Sequence, residues 1–169
     1  MLGELKRRKL AENTHRRVVE LCAQTLGERH PQSIGALSDL AEALADNGKA
    51  REAIALARRV LALREELVGR HHPKVLSAMR DVAKVLEQLD EEAEAAALHG
   101  QVLALRTEVL GAKHPDVLQS MADVAACVSD VSERKAALWA VLELREEVLG
   151  SHHPQYLCLL YTSPSPRDS

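Results

Sequence analysis

A His-Pro pair recurs along the chain at nearly constant intervals. The prolines of these pairs are Pro31, Pro73, Pro115 and Pro154, so successive pairs lie 42, 42 and 39 residues apart. A glycine stands three residues before the histidine of every pair. Glycine can close the last turn of a helix in the left-handed conformation, and proline is tolerated in the first turn of a helix. The pattern therefore predicts that one helix ends and another begins at each pair.

An interval of 42 residues with one such break fits a unit of two helices. A second, weaker break lies inside each unit, at 47–49, 90–92 and 129–132. We therefore predict a first helix, helix A, over 31–45, 73–89 and 115–128. The second helix, helix B, is predicted over 51–68, 92–110 and 133–149.

The apolar residues repeat with the same period. Helix A carries four apolar positions with identical spacing in each unit: Leu37, Leu40, Ala41 and Leu44, then Met79, Val82, Ala83 and Leu86, then Met121, Val124, Ala125 and Val128. Such a stripe is typical of an amphipathic helix. A single hairpin cannot bury its own apolar face, so the pattern predicts stacked hairpins that bury this face for one another.

The unit from His30 to Gly69 combines His-Pro, Leu-x-x-Leu-Ala-x-x-Leu, Asn-Gly-Lys-x-x-Glu-Ala and Leu-Arg-Glu-Glu-Leu-Val-Gly. This string resembles the 42-residue tetratricopeptide repeats of kinesin light chains and their relatives. The resemblance covers about residues 2–157. It implies an all-α fold, a right-handed α-solenoid of antiparallel helix hairpins, whose general role is to bind other proteins.

The repeat register divides the chain into segments. We assign residues 1–26 to helix B of a partial repeat, with Leu2 and Gly3 at its inner turn. Three repeats follow at 27–68, 69–110 and 111–149, the last with a shortened inner turn. Residues 150–157 open a further, truncated repeat, and we interpret residues 158–169 as a non-native tail because they break both period and composition. On this basis we expect the natural protein to be longer.

Composition narrows the classes of partner. Aromatic residues make up 2% of the chain, too few for base-stacking platforms or aromatic cages. The formal net charge is −3, and no apolar run is long enough for a membrane span. We therefore expect a cytoplasmic protein without nucleic-acid or membrane partners. Three widely spaced cysteines, Cys22, Cys127 and Cys158, indicate buried small side chains and no disulfide framework.

The chain carries no recognisable catalytic or cofactor motif, so we predict no enzyme, no cofactor and no metal site. Among the eight histidines, the pairs His71-His72 and His152-His153 could suggest a metal, but adjacent histidines in a turn point apart. We interpret the histidines of the His-Pro pairs as helix-start residues. The Glu-Glu pairs, such as Glu65-Glu66 and Glu146-Glu147, are expected to form exposed ion pairs with the arginines of the same motif, Arg64, Arg106 and Arg145.

The resemblance implies that helix A lines a concave groove, and an aspartate recurs there every 42 residues. The groove residues predicted on this face are Asp39, Glu42, Asp46, Arg80, Asp81, Lys84 and Asp123, with Ser38, Glu87, Gln119 and Asp130 beside them. Seven acids against two bases would favour a basic or polar peptide. The alternative is that the repeated aspartates bind neighbouring helices and only hold the stack together.

Two functions of different class remain open. The first is a protein-interaction scaffold, a kinesin light chain-like adaptor, whose groove binds a peptide or helical segment of a partner. The second is a structural or regulatory repeat segment of a larger signalling or enzyme chain. Stacked repeats also need polar capping units, so uncapped ends predict self-association.

Overall fold

The computed structural model describes residues 2–149, with side chains from 7 to 148, and all its regular structure is helical. The helices are α1 (Leu2–Leu26), α2 (Pro31–Asp46), α3 (Ala50–Val68), α4 (Pro73–Glu87), α5 (Glu92–Leu110), α6 (Pro115–Ala126) and α7 (Val131–Leu149). Six of the seven correspond to the predicted A and B helices, with ends that differ by no more than two residues. The all-α prediction is confirmed.

The His-Pro pairs act as predicted. Gly27, Gly69 and Gly111 have φ angles of 87°, 80° and 83° and follow the ends of α1, α3 and α5. Three residues later, the histidine Nδ1 accepts a hydrogen bond from the backbone N–H two residues on. The pairs are His30 with Gln32 at 3.2 Å, His72 with Lys74 at 3.1 Å and His114 with Asp116 at 3.1 Å. Each histidine therefore caps a helix that starts with proline. His153 lies outside the described residues.

The chain forms two compact units, one up to Ala95 and one from Ala96. In the first unit, each of α1, α2 and α3 packs against the helix that follows it. One core cluster joins Ile34 and Leu37 of α2 to Val60 of α3 and Ala78 of α4. A second joins four buried residues of the same three helices, Leu40, Leu44, Ala53 and Val85. The apolar stripe of helix A is thus buried in α2 and α4, as its spacing predicts, whereas Met121, Val124 and Val128 of the third stripe are half-buried.

In the second unit, α6 packs against α7. Two arginines of this unit are buried, so the prediction that they form exposed ion pairs is wrong. Arg106 and Arg145 are 8% and 2% exposed. Arg106 donates to the carbonyl of Asp116 at 3.1 Å and to the Ser120 hydroxyl at 2.8 Å. Burial is possible because the guanidinium donates hydrogen bonds to a carbonyl in the first turn of α6 and to a side-chain hydroxyl. Of the neighbouring acids, two have other exposed partners: Glu66 pairs with Arg29, and Glu147 with Lys113.

Two smaller expectations also fail. Leu2 and Gly3 lie within α1 and form no inner turn. The first backbone N–H groups of a helix have no intrahelical hydrogen-bond partner, so a glycine in the first turn costs the helix little stability. Cys22 and Cys127 are only half-buried, and Cys127 is the C-terminal cap of α6. Cys158 lies outside the described residues.

None of the described helices has the length and apolar character that a membrane span requires.

Candidate functional site

A cavity of about 230 Å³ opens between α2 and α4 in the first unit, with α3 at its floor. Four of the predicted groove residues line it: Glu42, Asp46, Asp81 and Lys84. Methyl and other small apolar groups complete the floor, contributed by Ala41, Ala45, Ala57, Val60, Ala78 and Val85. The cavity therefore combines carboxylates at its sides with an apolar base. A basic side chain could place its aliphatic stem on this base and its charge among the acids.

The carboxylates of this surface are available to a ligand. Within the described part of the chain, those of Asp39, Glu42, Asp46 and Asp81 form no hydrogen bond. The Asp81 side chain is accessible to solvent, yet it lies in a concave wall. The protein around it partly desolvates the carboxyl and raises its pKa above the ordinary value, although Lys84, Arg64 and Arg80 act in the opposite direction. A cationic ligand would favour the ionised carboxylate and so offset this desolvation cost.

Asp39 lines a second cavity, of about 240 Å³, between α1 and α2. Glu42 and Asp46 line this cavity too, so the two cavities flank α2 and share those acids. Arg8 and His15 of α1 form the opposite wall and were missed in the sequence. The repeat period could have predicted a cavity position for His15, because His15 stands one 42-residue period before Ala57, which lines the first cavity.

A buried carboxylate holds α1 in place beside this second cavity. Glu12 of α1 is 5% exposed and accepts hydrogen bonds from Lys49 at 2.8 Å, Arg16 at 3.0 Å and Asn47 at 2.9 Å. The bond from Lys49 is the main reason that the pKa of Glu12 lies below its ordinary value, and burial opposes this shift. Arg16 also reaches Glu52 at 2.8 Å. Glu12 therefore ties α1 to the turn between α2 and α3.

The remaining predicted residues have different surroundings. Arg80 is half-buried on α4 and is not among the residues that line the first cavity. Asp123 belongs to the second unit, where it accepts a hydrogen bond from Gln119 at 2.9 Å. Gln119 in turn accepts one from Arg145 at 3.0 Å. Asp130 caps α7 by accepting from the N–H of Glu133 at 2.8 Å. The contacts of Asp123 fit the structural alternative for the repeated aspartates.

Comparisons with known proteins agree with this architecture. The family model of the tetratricopeptide repeat matches residues 1–66 and 32–108. A crystal structure of the nearly identical TPR-like repeats of a kinesin light chain-like protein from Podosopora anserina is similar to this chain, with 28% identity and a TM-score of 0.74 over 90% of this chain and 74% of that one. A single-substitution variant of that protein is similar at 28% identity and a TM-score of 0.75, over 90% and 73% of the two chains.

BtubC (BKLC) from P. vanneervenii shares the fold at 18% identity, with a TM-score of 0.72 over 95% of this chain and 68% of that one. A search of curated proteins gave no match. The family model covers more than half of the residues, and the helix bounds, the capped His-Pro starts and the buried stripes are those of stacked hairpins. The chain therefore belongs to the tetratricopeptide-repeat family.

Proposed function

We propose that this protein is a non-catalytic interaction scaffold that binds a basic, extended or helical segment of a partner protein between α2 and α4. The observation that carries this proposal is the first cavity, where Glu42, Asp46 and Asp81 stand beside an apolar floor without internal hydrogen-bond partners. Membership of a family whose repeats bind proteins supports the scaffold role. The kinesin light chain-like neighbours make an adaptor the most natural form of it.

The charge around the cavity determines which ligands it prefers. The residues that line the cavity carry three carboxylates and one ammonium group, that of Lys84, and Arg64 and Arg80 beside Asp81 offset part of this negative charge. A lysine or arginine would gain attraction and give up little hydration if its charge stayed near the rim. An acidic segment would be repelled, as would nucleic acid and anionic membranes, because the whole chain also carries a net charge of −3. This charge favours a protein partner with a basic segment.

Selection from peptide libraries of defined charge tests this proposal. The immobilised protein is expected to enrich lysine- and arginine-containing sequences over glutamate-containing ones, and the enrichment should fall as salt rises. Glu42→Gln combined with Asp81→Asn should remove it, whereas Asp123→Asn should leave it intact. Enrichment that survives the first variant, or a preference for acidic peptides, would show that the cavity is not the binding site.

A further inference from the structure

The outer side of α1 carries an apolar stripe that no described helix covers. The stripe consists of Leu10, Thr14, Val18, Leu21 and Thr25, which follow one another at intervals of four, four, three and four residues and therefore share one helix face. Leu10, Val18 and Leu21 are 67%, 40% and 45% exposed. Exposed aliphatic side chains that form one face differ from single exposed residues, because together they can be covered by one partner helix.

The repeat itself shows that this face is normally covered. One period after Val18, Val60 of α3 is 2% exposed and packs with Ile34 and Leu37 of α2. Leu63, one period after Leu21, and Leu56, one period after Thr14, pack against the same cluster. The middle of this face is thus covered by a neighbouring helix on α3, while Glu52 and Leu67, one period after Leu10 and Thr25, are exposed there. On α1 it is open.

The two threonines do not make this face polar. The hydroxyl of Thr14 donates to the carbonyl of Leu10 at 2.9 Å, and that of Thr25 donates to the carbonyl of Leu21 at 2.7 Å. Both hydroxyl protons are therefore satisfied inside α1. A helix that covered the stripe would leave no unpaired donor there, which removes the usual cost of burying a polar side chain.

We propose that a second copy of this chain covers the stripe, with the two α1 helices antiparallel about a two-fold axis near Val18. In this arrangement, Leu10 lies opposite Thr25 of the second copy and Thr14 lies opposite its Leu21. Each large side chain therefore meets a small one, at two symmetry-related places, and Val18 packs near the axis. An interface of this kind is self-complementary, as two-fold symmetry requires.

Charges beside the stripe fit the same arrangement. Arg17 and Glu20 are exposed and lie 3.1 Å apart in one copy. Across an axis near Val18, Arg17 of each copy comes within reach of Glu20 of the other. Two ion pairs between the copies can therefore replace the ion pair within each copy.

The size of the contact determines the strength of the dimer. From Leu10 to Thr25 the helix is about 24 Å long. A contact of one such helix on another falls below about 1,200 Å², in the range of transient interfaces. We therefore expect a dimer that dissociates on dilution into the low micromolar range.

Sedimentation velocity over a series of protein concentrations tests this proposal. The wild-type protein should pass from monomer to dimer, and Val18→Lys should weaken the dimer by about tenfold or more, because it places two like charges at the axis. Val68→Lys is the matched control: Val68 of α3 is 46% exposed, and its counterpart one period earlier, Leu26, is not part of the stripe, so this variant should dimerise like the wild type. Circular dichroism should show equal helix content in all of these proteins.

A charge exchange tests the antiparallel geometry. Arg17→Glu should weaken the dimer, and Arg17→Glu together with Glu20→Arg should restore it. A protein that stays monomeric up to near-millimolar concentration would overturn the proposal. So would a dimer that Val18→Lys leaves unchanged, a double variant that fails to recover, or a monomer whose stripe binds a helical peptide of residues 31–46 instead.

Discussion

The Nζ atom of Lys49, in the turn between α2 and α3, lies 2.8 Å from Oε1 of Glu12 in α1. The side chain of Glu12 is 7% exposed, so its carboxylate is largely shielded from water, whereas the Lys49 side chain is 44% exposed. Arg16 and Asn47 complete the set of donors around the carboxylate. The contact joins residues 37 positions apart and thereby fixes the wall of the second cavity.

Glu12→Gln should destabilise the protein by about 1–3 kcal/mol, because the neutral amide weakens the charge-assisted hydrogen bonds that Lys49 and Arg16 donate to this buried position. Urea unfolding followed by circular dichroism measures this as a lower midpoint. Glu66→Gln serves as control, since Glu66 forms an exposed pair with Arg29, and it should change stability by less than about 0.5 kcal/mol. Equal effects of the two variants would contradict the assigned role of Glu12.

The same contact predicts an acid dependence of stability. The pKa of Glu12 lies below its ordinary value of 4.5 in the folded protein. Its contribution is therefore complete above about pH 4.5, where the unfolded chain is also ionised, and is lost as the pH falls through the folded-state pKa. The raised pKa of Asp81 acts in the opposite sense. Unfolding curves of wild type and Glu12→Gln should consequently converge as the pH is lowered, and a constant difference would refute this account.

His72 should stabilise α4 as its N-terminal cap. His72→Ala removes the 3.1 Å hydrogen bond to the N–H of Lys74 and should cost about 0.5–2 kcal/mol. His72→Asn keeps an acceptor at the cap and should recover most of the loss. If alanine and asparagine give the same thermal midpoint, the histidine does not act through capping.

Asp90 occupies the position that Gly48 holds one period earlier. Gly48 has a φ angle of 74°, and Asp90 is, among the described residues, the non-glycine residue with positive φ, at 60°. Asp90→Gly should therefore stabilise the protein by about 0.5–1 kcal/mol, because glycine adopts this conformation without strain. Thermal unfolding provides the measurement, with Gly48→Asp expected to change stability in the opposite direction. A lower midpoint for Asp90→Gly would count against this interpretation.

The fold could be predicted from the sequence because its signals are local and repeated. A glycine, a histidine and a proline at each unit boundary place the helix ends, and the 42-residue apolar pattern identifies the buried faces. Arg106 and Arg145 could not be predicted in the same way. Their motif is the same as that of the more exposed Arg64, and their acceptors lie in another helix that the local pattern does not specify.

The site was only partly predictable for a related reason. Asp39, Asp81 and Asp123 occupy equivalent repeat positions, yet Asp123 differs from the others by its bond to Gln119. Four residues before Asp39 and Asp81 stand Gly35 and Ser77, neither of which has a side chain long enough to act like Gln119. Gln119, one helical turn before Asp123, was therefore the sequence signal that distinguishes Asp123 from the other two aspartates. The network around Glu12 left no comparable pattern, because its donors come from separate parts of the chain.

Calorimetric titration of the protein with a lysine-containing peptide chosen from the library tests the proposed groove most directly. Glu42→Gln combined with Asp46→Asn removes two charges that both cavities share, and the account predicts affinity weaker by about tenfold or more. Asp123→Asn, which alters an aspartate of the second unit, should bind with unchanged affinity. Equal affinity of the wild type and the double variant, or tighter binding of the matched glutamate peptide, would contradict the proposal that this acidic surface recognises a basic partner.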